Sequence, residues 1–484
     1  MISPVVSVAQ MREAEQAAFA RGITALMDEA GAGVARFIQK ISPQPSHCLV
    51  FAGKGNNGGD AVVAGTALKR AGWQVEVHLT AAGAGETLQK KIAAFRTATA
   101  TEQPVSSPLI VIDGLLGLGS KPPLRDPIRG ACRAINNLRR DLNAFVFALD
   151  LPSGLDADNG AADEDAVVAD FTVAIGAAKR GLLIDDAINF VGRLEIVPLG
   201  ELQFAATDEV VATPASLRAL LPRRKFSSYK NQFGRVGIVA GSRGLIGAAA
   251  MCARGALRGG AGLVEVFVPE EIYPLVAAIV PPEAMVKSMK SYAELRDVEV
   301  DAWGIGPGLG QERAKELLAL LRQLDRPAVL DADALNIVSS DVRLLKKIKA
   351  PLLLTPHPGE MERLGGAMKK ARAKIARKFV ADYPVALLLK GSRTIVAEKG
   401  RALSYNTTGN PGMATGGMGD LLTGVCAALL AQKLSTYDAG RVGAWVCGRA
   451  AEIALFNGGA SEQSLLSGDL TETLGRAFRD LQSL

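Results

Sequence analysis

The feature that most constrains the fold is a repeated alternation of short apolar runs with helical patterns. From Cys48 onward the chain reads LVFA, VEVHL, LIVIDGLLG, FVFALDLPSG and FTVAIG. A second series begins at RVGIVAGS and continues through LVEVFVP, AWGIGPGLG, AVLDADAL, LLLTPHPGE, VALLLKG and TIVAE. Short apolar runs separated by helices indicate βαβ units and parallel sheets. Because ligands of such sheets bind beyond the carboxyl ends of the strands, we expect functional residues there.

The two series are separated by the stretch 200–228, in which no strand of this kind is predicted. It contains Pro214, Pro222 and the basic segment LPRRKFSSYK. A chain of 484 residues is also too long for one ordinary core. We therefore predict two α/β domains, residues 1–215 and 216–484, with a mainly helical C-terminal part that begins at TGGMGDLLTG.

Two helices are predicted before the first series. Ser7 and Gln10 form a plausible capping box for a helix that runs through Ala20 and stops at Arg21-Gly22. The second helix has an apolar stripe at helical spacing, formed by Leu26, Ala30, Val34 and Ile38.

Composition excludes several classes of function. The chain is 48% hydrophobic and 21% charged, as soluble globular proteins are. Its net charge of +6 comes without an aromatic-interleaved basic face, which favours small anionic ligands over nucleic acid. Five scattered cysteines without a C-x-x-C pair indicate reduced thiols. The start shows no signal-peptide pattern, and no apolar run is long enough to cross a bilayer, so we expect a cytoplasmic protein.

Histidine is scarce. Of the three in the chain, His47 and His78 lie at or inside predicted strands. A His-based zinc site or a Ser-His-Asp triad is therefore not expected. The chemistry should depend on carboxylates, lysines, backbone amides and bound ions.

In TGGMGDLLTG, glycines lead directly into an apolar helical pattern. Successive N–H groups at such a helix start can converge on an anion, aided by the helix dipole. Asp420 would lie in the first turn beside that anion. It could take a proton from a hydroxyl that attacks a phosphoryl group, or it could cap the helix. The motif alone leaves both roles open.

With its neighbours, this motif resembles the ribokinase-like superfamily, and more specifically the ADP/ATP-dependent NAD(P)H-hydrate dehydratases. The matching stretches are NQFGRVGIVAGS, RGGAGLVEV, GIGPGLG, VLDADALN, LLTPHPGEM, LLKGSRTIV and NPGMATGGMGDLLTG. The resemblance implies that Asp420 is the base. It implies adenine-nucleotide contacts at Lys390, Gly391, Ser392, Arg393, Thr394 and Gly419, and a hydrate site lined by Ala248, Gly308 and His357.

Some of these residues also have ordinary structural explanations. His357, between two prolines, fits a structural loop histidine equally well, and Lys390 fits a solvated strand-end lysine. Asp331 and Asp333 fit either contact with ligand or magnesium, or turn and cap roles. We leave these two aspartates out of the predicted site.

The segment AGKGNNGGDA carries a Gly-x-Gly-x-x-Gly motif, with Asp60 where a phosphate-binding helix would begin. Alone this motif is a weak indication of a dinucleotide site. Together with MREAEQAAFARGITALMDEAG, GKGNNGGDAVVA, IDGLLGLG, DLPSGLDAD and GAAKRGLL, it resembles the NAD(P)H-hydrate epimerases over roughly residues 11–183. Ala61 replaces a glycine that is usual in the family. Within a helix it should cost little, whereas at a positive φ it would be strained.

The epimerase resemblance implies a potassium ion held by Asn57, Asp113 and Ser153. Amide, carboxylate and hydroxyl oxygens suit a hard cation, and each residue adjoins the end of a predicted strand. Taken singly, each could equally serve a turn or a cap. Asp150 is the candidate for proton or hydroxyl handling, with Lys179 second. The implied hydrate-binding surface consists of Asn56, Asn57, Gly58, Gly59, Asp60, Gly117, Leu118, Gly119, Ser120, Lys121, Pro122 and Pro123.

Together the two resemblances imply a cytoplasmic homo-oligomer that repairs hydrated NADH or NADPH, with ADP and Mg²⁺ as nucleotide and metal. No nucleic acid or membrane partner is expected. A ribokinase-like small-molecule kinase fused to a nucleotide-binding regulatory domain is the alternative, and an inert N-terminal binding module is a third possibility. Simple hydride transfer is disfavoured, because Glu76 lies inside its predicted strand rather than at the tip, where a ribose-binding acid belongs.

Overall fold

The computed structural model describes residues 3–22, 25–80, 83, 85–99, 106–366 and 371–483. The chain divides into two compact units, Ser3–Thr207 and a second from Asp208 onward. Each unit is built on a largely parallel sheet, as the alternating sequence pattern predicts.

The first unit contains a six-stranded sheet, ordered β3-β2-β4-β5-β6-β8 and parallel throughout. A separate short pairing joins β1 to β7, in parallel, with Val6 beside Lys179. The strands are β1 Ser3–Val6, β2 Ser46–Ala52, β3 Gln74–Leu79, β4 Ser106–Gly114, β5 Phe145–Leu149, β6 Phe171–Ile175, β7 Ala178–Lys179 and β8 Arg193–Val197. The helices are α1 Val8–Ala20, α2 Leu26–Ile41, α3 Asn56–Arg70, α4 Glu86–Thr97, α5 Ile128–Leu142 and α6 Ile188–Val191.

Both predicted N-terminal helices are confirmed. Ser7 caps α1 through a reciprocal capping box with Gln10, and Arg21 follows as the C-cap. All four residues of the α2 stripe are buried, because that stripe is the face that packs on the core.

The second unit has a sheet in which strands follow the order β12-β11-β10-β13-β14-β15-β16-β17-β18-β9. Pairing is parallel from β12 to β16 and antiparallel between β16, β17 and β18. The strands are β9 Glu209–Val211, β10 Arg235–Val239, β11 Leu263–Pro269, β12 Met285–Met289, β13 Ala302–Ile305, β14 Ala328–Leu330, β15 Leu352–Leu354, β16 Ala386–Leu389, β17 Ile395–Ala397 and β18 Leu403–Tyr405. The helices are α7 Pro214–Leu217, α8 Ile246–Arg258, α9 Tyr273–Ile279, α10 Ala314–Gln323, α11 Ala332–Val338, α12 Pro358–Arg363, α13 Arg372–Asp382, α14 Met418–Ala431, α15 Thr436–Asn457 and α16 Ser467–Gln482.

Helix α14 forms the centre of the second unit. Every residue from Leu421 to Ala431 is buried, as expected of a helix that is apolar on all sides. It crosses α8 so closely that a Cβ on Gly424 would lie 2.0 Å from the Cys252 carbonyl oxygen. This backbone contact fixes the position of α14, and with it the position of Asp420 in its first turn.

Two details of the sequence interpretation were wrong. The stretch 200–228 does contain a strand, β9, which pairs with β18; three residues are too few for a pattern to appear in the sequence. Helix α3 begins at Asn56 rather than at Asp60. Asp60 therefore lies inside the helix and cannot be its cap.

Two global features complete the description. Across the described residues, no helix combines the length and apolar character needed to cross a bilayer. All five cysteines are buried and unpaired.

Candidate active sites

In the first unit, glycines allow the β2–α3 turn to pass against neighbouring backbone. A Cβ on Gly53 would lie 2.0 Å from the Leu115 carbonyl oxygen, and one on Gly58 would lie 2.0 Å from the Gly53 carbonyl oxygen. Neither position can hold a side chain. Ala61, by contrast, is buried inside α3 without a positive φ, so the departure from the family pattern introduces no backbone strain.

The three residues predicted to hold a cation are brought together at this edge of the sheet. The Ser153 hydroxyl donates to Asp113 Oδ1 (2.7 Å) and the Ser153 N–H to Asp113 Oδ2 (2.8 Å). The Leu116 N–H donates to Ser153 Oγ (3.0 Å), and Asn57 Nδ2 donates to the Leu116 carbonyl (2.7 Å). Asn57, Asp113 and Ser153 thus belong to one hydrogen-bonded network.

This network has the chemistry of a cation site. Asn57 Oδ1 is buried and lacks a hydrogen-bond partner, which is uncommon for a buried polar atom. Burial raises the pKa of Asp113 to about 6, despite hydrogen bonds from Ser153 and Leu115. No lysine or arginine in the described residues forms an ion pair with Asp113. A buried carboxylate without a counter-charge, in the same network as an amide oxygen that lacks a hydrogen-bond partner, suits a hard cation.

The remaining predicted residues of this unit lie on α3 and on the loop after β4, and they differ in burial. Asn56 to Asp60 form the first turns of α3, and Gly117 to Pro123 form the loop after β4. Ser120 is buried and accepts a hydrogen bond from the Gly154 N–H (3.0 Å). Lys121 is exposed, so its side chain is not part of the buried network.

Asp150, directly after β5, is held in a demanding conformation. Its φ is +64°, in the left-handed region that few residues other than glycine adopt. Oδ1 accepts hydrogen bonds from the fully buried Lys179 ammonium and from the Ile175 N–H (3.2 Å). Lys179 also donates to the Ile175 carbonyl (2.8 Å). The ion pair and the strained backbone mark Asp150 as a candidate functional residue.

In the second unit, Gly417 is the N-cap residue of α14, with φ +84°. Asp420 is the third residue of the helix and half-buried, whereas Gly416 has no atom of the described chain within 4 Å of where its Cβ would lie. The start of this helix therefore offers backbone N–H groups to an open space, as an anion site requires. Since the cap residue is Gly417, capping does not explain Asp420.

A carboxylate that the sequence analysis set aside organises this site. Asp331, the N-cap residue of α11, is almost fully buried and forms a 2.7 Å ion pair with Lys390. Its other oxygen accepts a hydrogen bond from Thr423 on α14 (2.9 Å). A Cβ on Gly419 would lie 3.2 Å from Asp331 Oδ2 and 3.3 Å from Lys390 Nζ. Asp331 thus links the strand-end lysine to the start of α14.

The same charges set the protonation of the site. Burial, followed by repulsion from Asp331, raises the pKa of Asp420 to about 6, although Lys390 opposes the shift. Burial by itself would lower the pKa of Lys390, but Asp331 and Glu360 outweigh it and the pKa is raised. The lysine thus stays charged, while Asp420 is a stronger base than an ordinary aspartate.

Ala248 and Gly308, both predicted to line the hydrate site, adjoin each other. A Cβ on Gly308, whose φ is +64°, would lie 2.9 Å from the Ala248 Cβ. His357 is the N-cap of α12, where its Nδ1 accepts hydrogen bonds from the N–H groups of Gly359 (3.0 Å) and Glu360 (3.3 Å). A structural role for His357 is therefore present, and the half-exposed ring leaves a ligand role open.

The KGSRT segment follows β16 as a tight turn. Gly391 and Arg393 have φ values of +143° and +57°, and Thr394 Oγ1 donates to the Gly391 carbonyl (3.0 Å). Arg393 is buried, so only its backbone and the neighbouring residues of the turn are open to a ligand. The Arg372 guanidinium donates to the Ser392 carbonyl from outside the turn.

The comparisons with known proteins agree with this division. Residues 23–181 match the family described as YjeF-related protein N-terminus, and residues 236–475 match the NAD(P)H-hydrate dehydratase family. The bifunctional NAD(P)H-hydrate repair enzyme of Moorella thermoacetica is 35% identical over 94% of this chain and 92% of its own. The chain belongs to the bifunctional NAD(P)H-hydrate repair enzymes.

Other members of this family support the assignment. The repair enzymes of Coxiella burnetii and Escherichia coli are each 36% identical, over 95% and 96% of this chain and 96% and 92% of their own. A Bacillus subtilis ADP/ATP-dependent NAD(P)H-hydrate dehydratase, co-crystallised with ATP and Mg²⁺, is 31% identical with a TM-score of 0.50. The match covers 56% of the chain described here and 98% of the Bacillus subtilis chain. Both component domains of the family, epimerase-type and dehydratase, are thus present.

The structure places three further residues in the network of the second unit: Asp331, which the sequence analysis set aside, and Glu360 and Thr423, which it missed. Asp331 had a usable signal, because it directly follows a buried strand of a parallel sheet.

Proposed function

We propose that this chain repairs hydrated NADH and NADPH in two steps, one in each unit. The first unit interconverts the R and S hydrates, and the second returns the S hydrate to NAD(P)H while ADP is converted to AMP and phosphate. The observation that carries the proposal is Asp420, a basic carboxylate at an open helix start next to the Lys390–Asp331 ion pair.

In the second unit, Asp420 would take the proton of the hydrate hydroxyl as that oxygen attacks the terminal phosphorus of ADP. The N–H groups at the start of α14 and the ammonium of Lys390 would stabilise the charge on the phosphoryl group in transit. AMP leaves, and the hydroxyl becomes a phosphate ester, which is a much better leaving group. The ring-nitrogen lone pair then expels phosphate, and loss of a proton from the adjacent ring carbon restores the double bond.

A magnesium ion would arrive with the nucleotide phosphates rather than occupy a site built from protein carboxylates alone. Over the part of the chain that the structure describes, no group of three or more His, Cys, Asp or Glu side chains could hold a metal. Magnesium at phosphoryl-transfer sites is usually held by one or two carboxylates together with the substrate phosphates, and Glu360 lies 3.8 Å from Lys390 at this site. Bound there, magnesium would neutralise phosphate charge.

In the first unit, Asn57, Asp113 and Ser153 would hold a potassium ion. The unsatisfied Asn57 Oδ1 supports this assignment, and the ion would supply positive charge at the edge of the sheet. Asp150 would handle the proton that is transferred during epimerisation. The first turns of α3 and the loop 117–123 would then form the surface that receives the hydrated ring.

The test uses the full chain and the two purified hydrates of NADH. With Mg²⁺ and either ADP or ATP, the S hydrate should return to NADH, measured by its near-ultraviolet absorbance, and the R hydrate should follow through epimerisation. Failure to recover NADH from the S hydrate with either nucleotide would overturn the dehydratase assignment. A cytoplasmic location and a homo-oligomeric state remain predictions from the sequence.

A further inference from the structure

The ion pair between Asp331 and Lys390 is tied to the start of α14 by direct contacts. Asp331 Oδ1 lies 2.7 Å from the Lys390 ammonium, and Oδ2 accepts a 2.9 Å hydrogen bond from the hydroxyl of the fully buried Thr423. Gly419 lies one helical turn before Thr423, so both positions are on the same side of α14. A Cβ on Gly419 would lie 3.2 Å from Asp331 Oδ2. The ends of β14 and β16 and the first two turns of α14 therefore meet at one carboxylate.

The backbone of Asp331 is itself held in place. Its carbonyl oxygen lies so close to Gly306 that a Cβ on Gly306 would collide with it. The next residue, Ala332, has φ +50°, in the left-handed region that alanine rarely adopts. Strain of this kind persists only where the surrounding structure imposes it, and it is concentrated at functional sites. The carboxylate is thus presented from a fixed point of the backbone.

Lys390 is held on one side and open on another. Among the described residues its ammonium forms one hydrogen bond, to Asp331, while Glu360 Oε2 lies further away at 3.8 Å. An ammonium has three N–H donors, so two remain for the oxygens of a phosphoryl group. The side chain of Lys390 is 21% exposed and that of Asp331 only 1%. The lysine can therefore reach a ligand, whereas the aspartate can act only through the lysine.

We propose that Asp331 is a positioning residue for phosphoryl transfer, which fixes the Lys390 ammonium beside the N–H groups at the start of α14. The hydroxyl of Thr423 fixes the carboxylate in turn. The proposal rests on the dehydratase function proposed above. Asp331 is not a magnesium ligand in this assignment, because both of its oxygens are engaged within the protein. A lysine held in this way meets the charge of the phosphoryl group in transit without reorganising first.

The experiment measures recovery of NADH from purified S hydrate by absorbance, with the full chain, Mg²⁺, and ADP and ATP in separate assays. Asp331→Asn keeps the size of the side chain but removes its charge, so the ammonium is drawn toward Glu360 instead. We expect kcat to be about 100-fold lower. KM for the hydrate should stay within a few fold of the wild-type value, because Lys390 acts on the phosphoryl group and not on the ring.

A magnesium titration at saturating nucleotide distinguishes positioning from metal binding. If Asp331 positions Lys390, the magnesium concentration that gives half of the maximal rate should be the same in Asp331→Asn and in the wild type. A much higher magnesium requirement in the variant would show direct coordination and would overturn the proposal.

Lys390→Met shows whether Asp331 acts through the lysine. If it does, adding Asp331→Asn to Lys390→Met should change kcat by less than about threefold, although each single variant loses far more. An aspartate that acted on the substrate or the metal directly would add its full loss to that of the lysine. Additive losses would therefore contradict the positioning role, as would a wild-type kcat in either single variant.

Thr423 provides a milder test with a conservative comparison. Thr423→Val removes the hydroxyl at nearly constant volume and should lower kcat about tenfold, as loss of a hydrogen bond to a charged group does. Thr423→Ser keeps the hydroxyl and should restore most of the rate. Thr436→Val is the matched control, because Thr436 is also buried and donates to a carboxylate, that of Glu398 (3.0 Å), beyond the far end of α14. A Thr423→Ser rate as low as that of Thr423→Val would count against the proposal.

Melting curves separate these outcomes from misfolding, and every variant is assayed at a temperature at which its curve shows it to be folded. If Asp331→Asn does not fold, the comparison of Thr423→Val with Thr423→Ser decides. Recovery of NADH by the wild type with neither nucleotide would mean that the proposed dehydratase function fails. An active wild type with an equally active Asp331→Asn variant would mean that only the role of Asp331 fails.

Discussion

The two units share a construction but surround it with different side chains. Each has a glycine-rich segment at the start of a helix, and each has an aspartate–lysine ion pair: Asp150–Lys179 in one and Asp331–Lys390 in the other. Near the first segment, a buried amide oxygen without a hydrogen-bond partner and a buried carboxylate suit the proposed cation. Near the second, open backbone N–H groups and a charged lysine suit the proposed anion. In this proposal the surrounding side chains, and not the glycines, select the charge of the ligand.

The two ion pairs also differ in the exposure of the lysine and in the hydrogen bonds of the aspartate. Lys179 is fully buried, whereas Lys390 retains 21% of its side-chain exposure. In the second pair both oxygens of Asp331 are occupied, by Lys390 and by Thr423. In the first, only one oxygen of Asp150 is anchored. The more exposed partner is thus the lysine in the second unit and the aspartate in the first, where Asp150 is itself buried, with 10% of its side chain exposed.

The sharpest separation of the units is expected from Asp420→Asn. Removal of the base should lower nucleotide-dependent recovery of NADH from the S hydrate by about 1,000-fold, while epimerisation without nucleotide continues. Absorbance measures the first activity and chromatography the second. Asp382→Asn, an exposed acid at the end of α13, is the matched control. Equal loss of both activities in Asp420→Asn would show that the two sites do not act separately.

Asp113→Asn should weaken binding of the proposed potassium ion in the first unit. We expect epimerisation to fall on the order of 100-fold. We also expect that replacing lithium with potassium, which should raise the melting temperature of the wild type, no longer does so in the variant. The exposed Asp126→Asn serves as the control for charge loss in the same unit. Potassium stabilisation that survives in Asp113→Asn would place the ion elsewhere.

The pH dependence of dehydration tests the proposed base of the second unit. The Asp420 base must be ionised, and its pKa is raised to about 6, so dehydration should fall about tenfold between pH 6 and pH 5 or a little below. The raised pKa also means that the folded state favours protonated Asp420, a contribution to stability that is lost as pH rises through 6. Asp420→Asn should therefore melt higher than the wild type at pH 8. A wild-type rate that stays flat from pH 7 to pH 5 would contradict the assignment of the base.

The smallest expected effect concerns the turn of the first unit. Gly58→Ala should lower its free energy of unfolding by roughly 1–3 kcal/mol, because the new Cβ would meet the Gly53 carbonyl oxygen at 2.0 Å. Gly119→Ala, on the same unit with open space around its Cβ, should change stability by less than about 0.5 kcal/mol. Thermal unfolding followed by circular dichroism compares the two. Equal stability of both variants would show that the turn can relax.

Much of the fold could be predicted because its signals are local. The capping box at Ser7 and the apolar stripe of α2 require only neighbouring residues, and both appear in the structure. Strand β9 was missed because three residues carry no recognisable period, and its partner β18 is nearly 200 residues away in the chain. The start of α3 was misplaced because two asparagines and two glycines are poor helix formers by themselves.

For the candidate sites too, local sequence predicts some features and contacts between distant segments decide the others. The sequence by itself determined two parallel α/β units. It placed Asn57, Asp113 and Asp150 at or just beyond strand ends and Asp420 in the first turn of a helix, because apolar periodicity and glycine turns are properties of consecutive residues. Only the tertiary structure decided that Asp331 joins Lys390 to α14, that Asn57 Oδ1 is left without a hydrogen-bond partner, and that Asp150 pairs with the buried Lys179. Burial and charge pairing depend on which distant segments meet, and those contacts alone set the protonation states on which the chemistry depends.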